Sequence, residues 1–287
     1  MATHSSSTTV PSNDTDAEFR AWATFFHDVF NLAWVQTSDT GQINLGTVTT
    51  PGAPNTSQGY EIWRMNDSLQ STFPVFVKIE YGSGAATISP AIWITIGKGS
   101  DGSGGITTIR FARTQISSNA ENNGNHLSYG SAATNRVGVA FAVDGTGTAR
   151  PVLIFIERSK DSAGADTSDG LVVIYNLASS TIMKSVNYVK MNQVAQPDPE
   201  TTHYIRSRNA AFDSNVAMGV IIPIAGVAQQ PGMNMFIARA GDFSASGSPT
   251  ISIYGNTVTL QGLGPLTPIL INNSSNDTTA VCFMRFE

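Results

Sequence analysis

The chain has 287 residues, a formal net charge of −5, 41% hydrophobic and 13% charged residues, and one cysteine, Cys282. A chain of this length buries roughly 70–75% of its unfolded surface, so it needs neither a disulfide framework nor a structural metal. The acidic balance and the scattered Lys and Arg residues exclude a phosphate-binding groove for nucleic acid.

The charged fraction is about half that of an ordinary soluble domain. Ser, Thr, Asn and Gly fill the gap, as in a folded β protein whose polar face carries hydroxyls and amides. Charge depletion also suits a surface covered by neighbouring subunits; an exported monomer with a Thr/Ser-rich surface is the bland alternative. The N-terminus, MATHSSSTTVPSNDTD, has neither the basic nor the apolar region of a signal peptide. No apolar run approaches the ~20 residues of a membrane span. The expectation is synthesis in the cytosol, without export by the general route or membrane insertion.

In chain order, residues 1–14 read as a flexible polar arm. Thr15-Asp-Ala-Glu18 has the spacing of a capping box. Behind it Phe19, Trp22, Phe26, Val29, Phe30 and Ala33 recur at three- and four-residue intervals, which predicts an amphipathic helix within 15–36. Phe25 and Leu32 widen the stripe. This is more apolar surface than a monomer leaves exposed, so the helix packs on a sheet or on another subunit. Phe19, Trp22, Phe26 and Phe30 are the candidate subunit-contact residues.

From residue 37 onward the pattern is that of strands. After 60–63, apolar β-branched runs at 75–81, 92–96, 107–111, 137–143, 152–156, 171–175, 182–188, 216–222, 233–237, 251–254, 257–260 and 281–286 alternate with turn residues. About a dozen short strands without intervening helices predict a mainly β fold: an antiparallel β-sandwich or jelly-roll-like body over 37–287. A subdivision, if there is one, falls near 192–212. Gly255-Asn256 reads as a two-residue hairpin loop. Long polar segments at 97–105, 115–135, 157–170, 192–212 and 240–249 are the candidate contact loops.

The search for chemistry returns structural readings. Gly97 to Gly105 resembles a phosphate cradle but lacks the upstream Gly and the following helix, and reads as a hairpin loop. Asp161, Asp166 and Asp169 share one loop and are weak calcium candidates, against the simpler reading of solvated aspartates. The four histidines have no partners at metal-ligand spacing. Glu61 and Glu80, the main acids within strands, read as solvent-face or edge positions. Trp63 and Trp93 fit core positions better than sugar platforms, whereas Tyr129 and Tyr204 remain candidate glycan-stacking residues. The expectation is no catalytic residue and no cofactor.

Three segments carry a resemblance. Trp34-x4-Asp39-Thr-Gly-Gln-Ile43, Tyr60-Glu-Ile-Trp-Arg-Met-Asn-Asp67-Ser-Leu and Pro74-Val-Phe-Val-Lys-Ile-Glu-Tyr-Gly82 resemble virion structural proteins of tailed bacteriophages. The Gly97–Gly105 loop continues the match, which covers about residues 20–110. The resemblance implies a non-enzymatic particle component, associated with tail, baseplate or fibre, whose partners are copies of itself and other virion proteins. A module recognising host surface glycans is the alternative.

Overall fold

The computed structural model describes residues 3–10, 15–84, 90–117, 126–143, 152–160, 165–176, 217–224, 227–239, 248–253, 256–266 and 280–285. The expected strand at 182–188 and the segment 192–212 lie outside them.

The helix α1 spans Asp16–Asn31. Thr15 caps it: the Thr15 hydroxyl accepts from the Glu18 amide at 3.2 Å and donates to Glu18 Oε2 at 2.9 Å. The box thus closes side chain to side chain. The helix ends five residues before the expected limit, because Val35–Gln36 forms a short strand, β2. That strand pairs with β3 (Ser57–Arg64), followed in the same sheet by β4 (Phe76–Ser83), β5 (Pro90–Gly97) and β8 (Phe111–Ser117). Between β5 and β8, the two-residue strands β6 (Gly99–Ser100) and β7 (Ile106–Thr107) form a small ribbon. The 97–105 segment is therefore the hairpin its sequence suggested.

A second five-stranded sheet has the order β1 (Thr3–Val10), β9 (His126–Ala133), β10 (Arg136–Val143), β11 (Val152–Lys160), β12 (Asp166–Asn176). A third follows the order β13 (Ala217–Ile224), β14 (Val227–Arg239), β17 (Ala280–Arg285), β16 (Asn256–Leu266), β15 (Thr250–Ile253). Every pairing described is antiparallel, and among the described residues no sheet closes into a barrel. The fold is mainly β with one N-terminal helix, as the sequence predicts. The β15–β16 register pairs Ile253 with Asn256, so Asn256, read as a loop residue, begins β16 instead.

The helix lies in one continuous core between the first two sheets. Trp22 and Phe26 each meet Tyr81 of β4 on one side and Phe141 of β10 on the other, at ring-centroid distances of 5.3–6.5 Å including their own contact. Val137, Val139, Phe141, Ile154 and Ile156 face this core from the second sheet. On the opposite face of that sheet Ala140 and Phe155 are also buried, and the third sheet approaches there, with β16 and β17 near β10 and β14 near β11. No helix among the described residues is long and apolar enough to cross a membrane.

Two expectations change. The stretch read as a flexible arm contains β1, which lies antiparallel along β9 of its own chain. A run of Ser and Thr has no core-forming signal, yet it satisfies its backbone groups as an edge strand. The helix aromatics read as subunit contacts turn inward instead: Phe19, Trp22 and Phe26 are 0% exposed and Phe30 is 1% exposed. The stripe is wide because two sheets, not one, cover it. These side chains have no area left to offer a neighbour.

Candidate functional site

At the junction of α1 and the first sheet, polar side chains gather inside an apolar surround. Residues 61, 63, 77, 79, 92, 94 and 96 share the helix-facing side of the sheet by strand alternation and register. Most are Ile, Val or Trp; Glu61 is the exception. Its carboxylate is 1% exposed and takes three donors. His27 Nδ1 of α1 lies 2.6 Å from Oε1, Gln36 Nε2 of β2 donates to the same oxygen at 3.2 Å, and the Tyr81 hydroxyl of β4 donates to Oε2 at 2.6 Å. Gln36 also donates to Gln42 Oε1, which accepts from the Ile62 amide at 2.9 Å, while Gln42 Nε2 donates to the Thr37 carbonyl at 2.7 Å. One hydrogen-bonded chain thus links the helix, three strands and the loop after β2.

The electrostatics follow from this geometry. The hydrogen bond to Glu61 raises the His27 pKa, against the pull of burial and with help from the charges of Glu61 and Asp28. Burial, followed by the charge and hydrogen bond of Glu61, pushes the Tyr81 phenol well above its ordinary range. Tyr81 therefore stays neutral and donates. The Trp63 ring stands edge-on to the imidazole at 5.3 Å and fixes its plane. The arrangement holds a proton on His27 and ties the helix to the sheet.

A second buried ion pair joins the first two sheets. Arg158 of β11, whose side chain is 0% exposed, grips Asp67 through Nε–Oδ2 at 2.7 Å and Nη2–Oδ1 at 3.1 Å. Its Nη1 is buried without a partner. Near the β6–β7 ribbon, Asp39 accepts from Ser100 Oγ at 2.9 Å and from the Gly104 amide at 3.3 Å. Burial pushes the Asp39 carboxyl up, but hydrogen bonds from Thr37, Ser100, Gly104 and Gly102 together hold it below its ordinary value. Asp101 is also held low, by the Ser103 and Gly105 amides, and stabilises the ribbon's own turn.

Of the residues singled out in the sequence, Asp161 and Tyr204 lie outside the described residues. Asp166 and Asp169 fall on β12 instead of a loop. The Asp166 carboxylate accepts from Asn135 Nδ2 at 2.7 Å. Among the described residues no group of three His, Cys, Asp or Glu side chains is gathered as a metal site. Tyr129 is half-buried on β9, and burial raises its phenol pKa. Trp63 and Trp93 are buried, as the strand patterns suggested. Glu80 does face outward, where it pairs with Arg113 at 2.8 Å.

Glu61, read as a solvent-face or edge residue, is the correction that matters. A signal for it was present: Glu61 and Trp63 are two apart in one strand and share a face. His27 likewise sits four after Ala23 and three before Phe30, at the edge of the buried stripe. Comparison with known proteins finds no matching family model, curated protein or solved structure.

Proposed function

We propose that this chain is a non-enzymatic structural component of a tailed-phage particle, associated with tail, baseplate or fibre. The observation that carries this reading is how the interior polar groups are used. Glu61, with three side-chain donors, and Arg158, with both Asp67 oxygens, cross-link elements remote in sequence. Such buried pairs tie remote elements in one geometry, which suits a part that must fit its neighbours. The low charge fraction and the resemblance over residues 20–110 support the same reading.

With the helix aromatics buried, subunit contacts fall to the loops and to sheet edges. Strand β8 is the last in its sheet order, and an edge strand is a template for pairing with another chain. Immunogold labelling of purified particles with antibody against the chain, together with light scattering of the isolated protein, tests the proposal. The expected result is decoration at a fixed position on the particle and a homo-oligomer in solution. Undecorated particles and a strict monomer would refute it.

A further inference from the structure

The two edges of the first sheet are treated differently. Beyond β3 the chain closes its own edge. The Thr37 amide donates to the Ile62 carbonyl at 2.9 Å, the Ile43 amide donates to the Tyr60 carbonyl at 2.8 Å, and Gln42 Oε1 accepts from the Ile62 amide at 2.9 Å. At the other end β8 pairs with β5, and among the described residues no strand lies on its far side. An open edge presents a row of backbone donors and acceptors, which proteins ordinarily blunt with Lys, Pro or a bulge. Strand β8, Phe-Ala-Arg-Thr-Gln-Ile-Ser, has neither Lys nor Pro.

Its single charge is drawn away from the edge. The Arg113 guanidinium lies over the Trp93 ring, 4.4 Å from the centroid, and holds both oxygens of Glu80 at 2.8 and 3.3 Å. It therefore covers the outer face of the sheet, where its charge is compensated. A bulge blunts only the first half of the strand: one extra residue of β8 stands between the partners of Ile94 and Ile96, and the Thr114 hydroxyl donates to the Ala112 carbonyl at 2.9 Å. From Thr114 to Ser117 the ladder is regular and uncharged.

We propose that β8 pairs antiparallel with β8 of a second copy of this chain, across a two-fold axis beside Gln115, and so joins two five-stranded sheets into one. The proposal rests on the reading above only in taking copies of the chain as partners. In this register Gln115 meets its own counterpart, and each amide has both a donor and an acceptor to exchange. Thr114 stands opposite Ile116 of the second copy, a pair of β-branched residues suited to a strand. The two Arg113 residues sit at the levels of 113 and 117 on the shared ladder, about 13 Å apart. That exceeds the ~8 Å screening length at physiological salt. Another extended chain would need a matching sequence, whereas a second copy supplies the match by symmetry.

The test uses the full chain. Light scattering should show a dimer for the wild type. Gln115→Lys sets two ammonium groups opposite each other and should weaken dimerisation at least about tenfold. In a Cys282→Ala background, Gln115→Cys should form an intermolecular disulfide under mild oxidation, whereas Ser71→Cys, at an exposed position between β3 and β4, should not. Thermal melting checks that each variant is folded; if Gln115→Lys is not, the two cysteine variants carry the comparison. A strict monomer, a dimer equally tight in Gln115→Lys, or equal cross-linking at positions 115 and 71 would each overturn the inference. The last two outcomes would leave the copies associating through another surface, and the proposed function would stand.

Discussion

His27 and Glu61 meet across the helix–sheet junction at 2.6 Å, one from the first element of the core and the other from the one charged position on the sheet's buried face. Because the pair raises the His27 pKa above its ordinary value near 6.5, its contribution to stability has a definite pH window. It is fully present below the unfolded-state pKa and is lost as pH rises through the higher folded-state value. The melting temperature of the wild type should therefore exceed that of His27→Gln most at about pH 6, and the difference should shrink towards about pH 9. A gap that stays constant or widens with pH would show that the pair does not hold the proton.

Removing the carboxylate is more damaging than removing the imidazole. Glu61→Ala leaves the buried Tyr81 hydroxyl without its acceptor and takes one of two acceptors from Gln36, at a cost of about 3 kcal/mol or more. Tyr81→Phe deletes one donor and leaves Glu61 two others, costing about 1–2 kcal/mol. Urea denaturation should rank the two variants in that order. The reverse order would mean that the phenol, and not the carboxylate, organises the cluster.

The Arg158–Asp67 pair should show strong non-additivity. Asp67→Ala strands a buried guanidinium and should destabilise by about 3–5 kcal/mol. Arg158→Met together with Asp67→Leu removes both charges and should cost less than either single change. A double-mutant cycle on chemical unfolding measures the coupling. Additive effects would place the pair in effective contact with water.

Close approach of the helix to the second sheet depends on Gly130. A Cβ there would stand 2.1 Å from Val29 Cγ2, inside any tolerable contact. Gly130→Ala should destabilise by about 1–3 kcal/mol through overpacking. Val29→Ala in the same chain should recover part of that loss, although alone it is destabilising. If the double variant is less stable than Gly130→Ala, the helix does not sit on that glycine.

A chain beginning at Gln36 should not fold. It lacks Phe19, Trp22, Phe25, Phe26, Phe30 and Trp34, all buried. At about 2–3 kcal/mol each, their burial amounts to more than 10 kcal/mol, comparable to the whole stability of a domain. Far-UV circular dichroism should show no cooperative melt. A cooperative β transition in that shortened protein would contradict the core described above.

What the sequence made legible follows from what each signal measures. The capping box and the three-four spacing of α1 report local geometry, and both were found where expected. Strand runs such as 137–143 and 152–156 lie within β10 and β11, because β-branched alternation reflects the pleat itself. Strands β1 and β9 escaped notice since Ser, Thr, Gly and Ala dominate them, and their pairing depends on a partner strand that local pattern does not name. Apolar width alone could not tell a helix between two sheets of one chain from a helix between subunits. Glu61 was misplaced for a related reason: an acid's preference for water outweighed the alternation that put it beside Trp63. The Arg158–Asp67 pair required the sheet order, which no single segment encodes.

Trp34, at the end of the helix, donates its indole N–H to the Ala133 and Arg136 carbonyls, which flank the turn between β9 and β10. The acceptor nearer in sequence, Ala133, lies 99 residues further along the chain. On a ribosome moving at about 5–20 residues per second, the aromatic helix emerges roughly 5–20 s before the hairpin that covers it. During that interval the apolar face of the helix lacks the second sheet that covers it, so chaperones that shield aromatic helices should assist its folding. Production in cells depleted of such chaperones should shift the chain into inclusion bodies, and slower translation should worsen the effect.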